Sequence, residues 1–184
     1  RIRYNTSMIV VFGANGKTGI EVVREAKKRG LDVRPVAKND HDTDRLEQVV
    51  NVNEIAFADA DHIDAIRAVI AGATSIVSCI DSRTAGFGSP IYTPEAGANI
   101  IQVAHENNIQ RMLHVCVMGG YRWSPNPLNK RTFHMDILIR RLKVPWTMLR
   151  VSCYHDEIAD GHVAPPDGGK PIKFHPSSRY SPVS

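Results

Sequence analysis

Hydrophobic and polar positions alternate along this chain between two textures. Short continuous apolar runs are separated by stretches in which apolar residues return every three or four positions. The first texture marks strands buried on both faces, and the second marks amphipathic helices packed on them. Met8-Ile-Val-Val-Phe12 is such a run, and it ends in glycine. Thr18 to Arg29 predicts a helix: Ile20, Val23 and Ala26–Lys27 bring an apolar face round, and Gly30 closes it. Asp32 to Ala37 predicts a second strand, in which Pro35 implies a bulge or an unpaired amide. A short helix over Asp44 to Val50 and a third strand over Asn53 to Ala58 follow.

Asp61 to Ala71 predicts a helix with Ile63, Ile66, Val69 and Ile70 on one side and Gly72 as its stop. Ser75 to Ile80 is the fourth strand, and residues 81–92, rich in Gly, Ser and Pro, form a loop. Pro94 starts a helix that runs to Asn108, with Ile100, Ile101 and Ala104 inward. Arg111 to Val117 is the fifth strand, 119–129 a loop, Thr132 to Leu142 a helix, and Trp146 to Val151 the sixth strand. Beyond it the alternation fades into Gly/Pro-rich connections, with a short strand at Pro171 to Phe174. Six strands joined by helical crossovers predict an α/β doubly wound parallel sheet, a Rossmann fold, as a single domain over 1–184. Ligands bind such sheets at the carboxyl ends of the strands.

Composition narrows the class. The 184 residues are 42% hydrophobic and 23% charged, ordinary globular usage, which excludes disorder and collagen-like architecture. The apolar runs are too short to span a bilayer, and no basic-then-apolar leader is visible. Three cysteines, Cys79, Cys116 and Cys153, are odd in number and widely spaced, which implies reduced, buried thiols in a cytoplasmic compartment. Eight histidines without HxxxH or CxxC-type pairing give no metal site. The charge of +4 fits nucleic acid, acidic lipid or a phosphorylated small molecule. The basic clusters Lys27-Lys28-Arg29 and Arg140-Arg141-Lys143 fall at helix ends, where cations complement the dipole. With no nucleic-acid module in view, the expected partner is a small molecule, with neither nucleic acid nor membrane.

The chemistry starts at Gly13-Ala-Asn-Gly16-Lys-Thr-Gly19, directly after the first strand and at the opening of the first helix. Glycines allow a tight turn and close approach of backbone to ligand, while the helix N-terminus offers N–H groups and a positive dipole end to phosphate. Gly16-Lys17-Thr18 also looks like the end of a Walker A loop. That motif needs a glycine five positions earlier, where Val11 stands, so a nucleotide triphosphatase is a poor second. The loop therefore nominates Gly13, Asn15, Gly16, Lys17, Thr18 and Gly19 as cofactor-binding residues.

Val11-Phe-Gly-Ala-Asn-Gly-Lys-Thr-Gly19 resembles the opening of the atypical short-chain dehydrogenase/reductases, which include NmrA-like NAD(P)H-binding proteins and flavin reductases like biliverdin reductase B. Gly97-Ala-Asn-Ile-Ile101 leading into Asn108-Ile-Gln-Arg-Met-Leu113 resembles that family's fourth crossover and fifth strand. Pro145-Trp-Thr-Met-Leu-Arg150 resembles its YTILRP strand, and Tyr180-Ser-Pro-Val-Ser184 the start of its VSxxDVA segment. The resemblance covers nearly the whole chain. It implies an aspartate-bearing turn and at least one more helix beyond Ser184, so the chain is expected to lack C-terminal family elements.

The second strand decides between dinucleotides. An acidic residue at its end binds the ribose 2′-OH of NAD, and a cation there accommodates the 2′-phosphate of NADP. This strand ends Val36-Ala-Lys38-Asn39, which favours NADP(H), although Asp40 is close enough in sequence to leave NAD(H) open. The resemblance adds Asp59 with Ala60 beside the adenine, and Cys79-Ile80-Asp81 beside the ribose and pyrophosphate. Asp59 has a plain alternative as a cap of the next helix.

The usual catalytic triad is absent. The family's Ser-Ser pair after the fifth strand reads Cys116-Val117, and the chain contains no Tyr-x-x-x-Lys. Polar candidates near the nicotinamide are Tyr121, His134, Tyr154 and His155. His134 suits proton delivery because imidazole titrates near neutral pH. Two functions follow. One is an NADPH-dependent reductase of a small aromatic or conjugated substrate (flavin, quinone or carbonyl), working without the triad. The alternative is a non-catalytic NAD(P)-binding regulator of the NmrA-like kind.

Overall fold

The computed structural model describes residues 7–40, 43–80, 94–117, 122–123, 127–141 and 144–151. The expected strand at 171–174, the loop at 81–92 and the candidates Asp81, Tyr121, Tyr154 and His155 lie outside the described residues.

Among the described residues, six strands form one sheet: β1 (Met8–Phe12), β2 (Val33–Ala37), β3 (Ala56–Phe57), β4 (Ala73–Ser78), β5 (Arg111–Val117) and β6 (Trp146–Val151). Their order is β3-β2-β1-β4-β5-β6, and every neighbouring pair is parallel. Among the described residues, five helices connect them: α1 (Lys17–Lys28), α2 (Asp44–Glu47), α3 (Ile63–Ile70), α4 (Pro94–Glu106) and α5 (Pro127–Arg141).

Side-chain alternation along β1 divides the core. Val10 and Phe12 join Ile76, Met112 and the inward residues Ile66, Ile100 and Ile139 of α3, α4 and α5. Val11 joins Val33, Ala37, Val23 and Ala26 of α1, and Leu46 of α2. Helices therefore cover both faces, as the uninterrupted apolar strands require. The doubly wound α/β architecture is the one expected from the sequence.

The differences are local. Pro35 makes no bulge, because β1 and β2 stay in register from Ile9↔Val33 to Phe12↔Val36. Val36 turns its carbonyl to β1, accepting from the Ala14 amide, and Ala37 turns its own to β3, accepting from Ala58. Pro35 shares the Ala37 orientation, so its nitrogen points toward β3, where pairing begins only at Val36↔Ala56. The unpaired-amide expectation holds, and the proline removes no ladder bond.

β3 shrinks to two residues because the segment before it takes another structure. The Asn51 amide donates to Glu54 Oε2 at 3.0 Å, closing a 3-10 turn over Val52–Glu54. The short helix likewise ends at Glu47, and the amides of Val49 and Val50 both donate to the Leu46 carbonyl. Helix α5 starts at Pro127, inside the stretch read as a loop. Proline is favoured in a first helical turn, where its missing N–H costs nothing.

Candidate functional site

The strand order reverses at β1, whose neighbours are β2 and β4. The carboxyl ends of these strands meet there, and so do some of the sequence candidates. Gly13 follows β1 with a left-handed φ of +69°. A β-carbon on it would lie 2.9 Å from the carbonyl carbon of Cys79, so the loop lies directly on the end of β4. Gly16 N-caps α1 with ordinary extended backbone, its amide donating to the Gly13 carbonyl at 3.1 Å. A β-carbon on Gly19 would come within 2.1 Å of the Gly13 carbonyl oxygen and 2.7 Å of the Ala14 Cα. Gly13 and Gly19 thus press the first turn of α1 against the end of β1, and Gly16 leaves the approach to that turn open.

The site's electrostatics suit an anion. The first turn of α1 contains no acidic residue, and Gly16 has no side chain to cap it. The positive end of the helix is therefore not neutralised from within its own first turn. Beside the cradle, the Asn15 Oδ1 is buried with no hydrogen-bond partner. Buried polar atoms are almost always satisfied, and an orphan beside a glycine cradle fits a group supplied by a bound molecule. These residues fit a dinucleotide: backbone and dipole for phosphate, Asn15 for a polar group beside it.

The β2 and β3 ends carry the second half of the site. Lys38, just past β2, holds its Nζ 3.3 Å from Asp59 Oδ2 and 3.8 Å from Asp61 Oδ2. Asn39 and Asp40 beside it are exposed. Asp59 also accepts the Asp61 amide at its Oδ1, at 3.1 Å, so it is a turn-former as well as a partner of Lys38. Ala60 is fully buried between the two acids. The turn is tied down from α4, where the Asn99 amide donates to the carbonyls of Ala60 at 3.0 Å and Asp61 at 3.4 Å.

On the other side, Cys79 and Ile80 lie against the glycine loop, and burial pushes the Cys79 thiol up to about 12. Cys116 is buried on β5 beside Arg150 of β6, and Val117 ends β5. His134 is exposed on α5, its ring set edge-on to Phe133. The structure thus brings together the glycine loop, Lys38, Asp59, Ala60, Cys79 and Ile80.

Several polar residues were not singled out from the sequence. Asp61 and Asn99 belong to the Lys38 corner. Ser78 and His114 form a buried pair across β4 and β5, Oγ to Nδ1 at 3.3 Å. Asp136 of α5 is buried and ion-paired with Arg150. Its Oδ1 has no hydrogen-bond partner, and burial raises its pKa although Arg150 and Arg140 pull the other way. Asn99 and Arg150 carried a signal, as parts of the segments resembling the family's fourth crossover and its YTILRP strand. Among the described residues no group of three or more His, Cys, Asp or Glu is arranged to hold a metal. No described helix is long and apolar enough to cross a membrane.

The NAD(P)H-binding family model matches residues 13–180. No curated protein matches the chain. Among solved structures, Citrobacter sp. triphenylmethane reductase complexed with NADP(H) matches at 19% identity and TM-score 0.64, over 85% of this chain and 53% of its own. Escherichia coli NADPH-dependent quinone oxidoreductase complexed with NADPH matches at 17% identity and TM-score 0.65, over 85% and 53%. The Bordetella bronchiseptica enzyme WbmH in complex with NAD+ matches at 14% identity and TM-score 0.66, over 80% and 56%. The chain spans about half the length of these solved chains. At such identities the likeness is one of fold.

Proposed function

This chain belongs to the NAD(P)H-binding family, and from that membership we propose that it is an NADPH-dependent reductase of a small aromatic or conjugated acceptor: a flavin, quinone or carbonyl compound. The observation that carries the reading is the glycine cradle at the sheet's switch point, with the orphaned Asn15 Oδ1 beside it. The structural likeness to reductases crystallised with NADP(H) or NADPH points the same way.

When bound, the dinucleotide supplies the hydride. The chain's own residues bind and orient. The first turn of α1 and the Gly13–Gly19 backbone receive the pyrophosphate. Gly13 keeps the loop on the end of β4, where the chain would hold the dinucleotide beside Cys79 and Ile80. Lys38 receives the 2′-phosphate as a mobile point charge. A quinone or flavin acceptor draws its final proton from solvent or from an imidazole such as His134, so the Ser-Tyr-Lys triad is dispensable.

The test is oxidation of NADPH and NADH by the chain against a panel of flavins, quinones and aldehydes, with cofactor affinity measured in parallel. Turnover with NADPH on at least one conjugated acceptor is expected. Tight NADPH binding without turnover overturns the reductase and leaves the regulator. Binding of neither cofactor overturns both.

A further inference from the structure

The two edges of the sheet are protected unequally. β3, at one end of the strand order, is two residues long and offers little to pair with. β6, at the other end, runs for six residues, Trp-Thr-Met-Leu-Arg-Val. It contains no proline or glycine, and its register with β5 is unbroken from Met112↔Trp146 to Val117↔Val151. Its one charged side chain, Arg150, is turned back to Asp136 of α5 and so does not guard the edge. Among the described residues, no strand pairs with the outer side of β6. A long, regular edge of this kind is a template for another strand.

The register fixes which backbone groups face outward. The Met112 amide donates to the Pro145 carbonyl at 2.9 Å. With Met112 opposite Trp146, the parallel ladder turns the amides and carbonyls of Thr147 and Leu149 toward β5. Those of Trp146, Met148 and Arg150 point to the outer edge. The large apolar side chains of the same strand are also accessible, Trp146 at 38% and Leu149 at 50%.

We propose that this edge is the pairing surface for a second copy of the chain, β6 against β6 in antiparallel register about a two-fold axis at Met148. The proposal is independent of the cofactor reading. The strand is its own complement in that register. Met148 lies opposite the partner's Met148, and Trp146 lies opposite the partner's Arg150 at both ends. It is the one antiparallel register in which all three outward residues of each strand exchange bonds with the other. No like charges stand directly opposite each other, and an arginine beside an aromatic ring is a favourable cross-strand pair. Arg140 of α5 already lies 4.9 Å from the centroid of the Trp146 ring, and Asp136 is the counter-charge that both arginines share. On the other face of the sheet, Thr147 comes beside the partner's Leu149 and shields part of that exposed side chain. An isologous contact of this kind satisfies both open edges at once and closes as a dimer.

The test is sedimentation velocity of the wild-type chain, Met148→Pro and Trp146→Lys across the micromolar range, with thermal unfolding of each as a control for folding. The wild type is expected to shift from the mass of one chain to that of two as concentration rises. Met148→Pro removes the central outward amide and no bond to β5, as Pro35 removes none between β1 and β2. It should raise the dimer dissociation constant at least about tenfold, the size expected from two lost hydrogen bonds. Trp146→Lys sets a cation opposite the partner's Arg150 at both ends and should also weaken the dimer. It carries the test alone if the proline variant does not fold. Met148→Cys reads the register: opposite Cα atoms of a bonded antiparallel pair lie about 5.5 Å apart, within disulfide reach, so mild oxidation should link two chains through position 148. A wild type that stays monomeric overturns the proposal. So does a dimer that the folded variants leave intact, or one that oxidation of Met148→Cys fails to link.

Discussion

The carbonyl oxygen of Gly13 occupies the space that a side chain on Gly19 would need, 2.1 Å from where its β-carbon would lie. The obstacle is backbone, so no rotamer change relieves it. Gly19→Ala must push α1 off the end of β1, and a loss of about 3 kcal/mol of stability is expected for such overpacking. Urea unfolding of the variant measures it. A midpoint equal to wild type would mean that the helix and strand are not in the contact described.

Gly16 offers the complementary experiment. Its φ of −71° suits any residue, and an added β-carbon would meet only the Gly13 carbonyl, at 3.3 Å. If the proposed site is right, Gly16→Val should fold with little loss of stability and still lose dinucleotide affinity by at least about tenfold, because the branched side chain would stand over the helix N-terminus proposed to receive the phosphates. Titration with NADPH beside a thermal melt separates the two effects. Retained affinity would remove Gly16 from the site.

Asn99→Ala removes two hydrogen bonds from α4 to the turn carrying Asp59 and Asp61. A loss of about 1–2 kcal/mol is expected for partly buried bonds of this kind. The NADPH to NADH ratio should shift as well, since the acids facing Lys38 are no longer held. A drop in stability with an unaltered ratio would confine Asn99 to a structural role.

Asp136 gives a pH prediction with a definite sign. Burial raises its pKa above the usual 3.8, outweighing the pull of Arg150 and Arg140. A folded acid with a raised pKa binds more protons than the unfolded chain does between the two values. Its contribution to stability is therefore lost as pH rises through that window. Asp136→Asn removes the effect, and the Arg150 left behind is 40% exposed and solvated. Denaturant unfolding at about pH 4 and about pH 7 should show the variant gaining on wild type as pH rises. A gain in the opposite direction would mean that the ion pair outweighs the desolvation.

Cys79 should be chemically quiet. With its thiol at about 12, almost no thiolate exists at neutral pH. Peptide mapping after brief iodoacetamide treatment of the folded chain should leave Cys79 unmodified, and treatment in denaturant should label it. Rapid labelling of the native chain would contradict the burial of that strand end.

How much of this could be read from the sequence depended on whether the signal was local. β5 and β6 were placed to the residue, although Arg111, His114, Thr147 and Arg150 interrupt their apolar content. The glycine cradle was legible because its turn, packing and cap all fall within seven consecutive positions. β3 was overextended because an Asn51–Glu54 contact, three residues long, won over strand propensity. α5 was started late because Pro127 reads equally as loop or as first helical turn. The Lys38–Asp61, Ser78–His114 and Asp136–Arg150 pairs were invisible for a different reason. Each joins two elements, and no spacing rule reaches across a sheet.

The placement of β1 has a kinetic cost. It is the first strand of the chain, yet one of its two flanks is β4, so Val10 waits for Ile76. Closing so long a loop spends chain entropy before any contact repays it, and parallel sheets rich in distant pairings fold slowly. During synthesis Val10, Val11 and Phe12 leave the ribosome before their second strand neighbour exists, with β2 and the helices α1, α2 and α3 as earlier cover. The same wiring that places a crevice between β1 and β4 keeps that crevice open until β4 has been made.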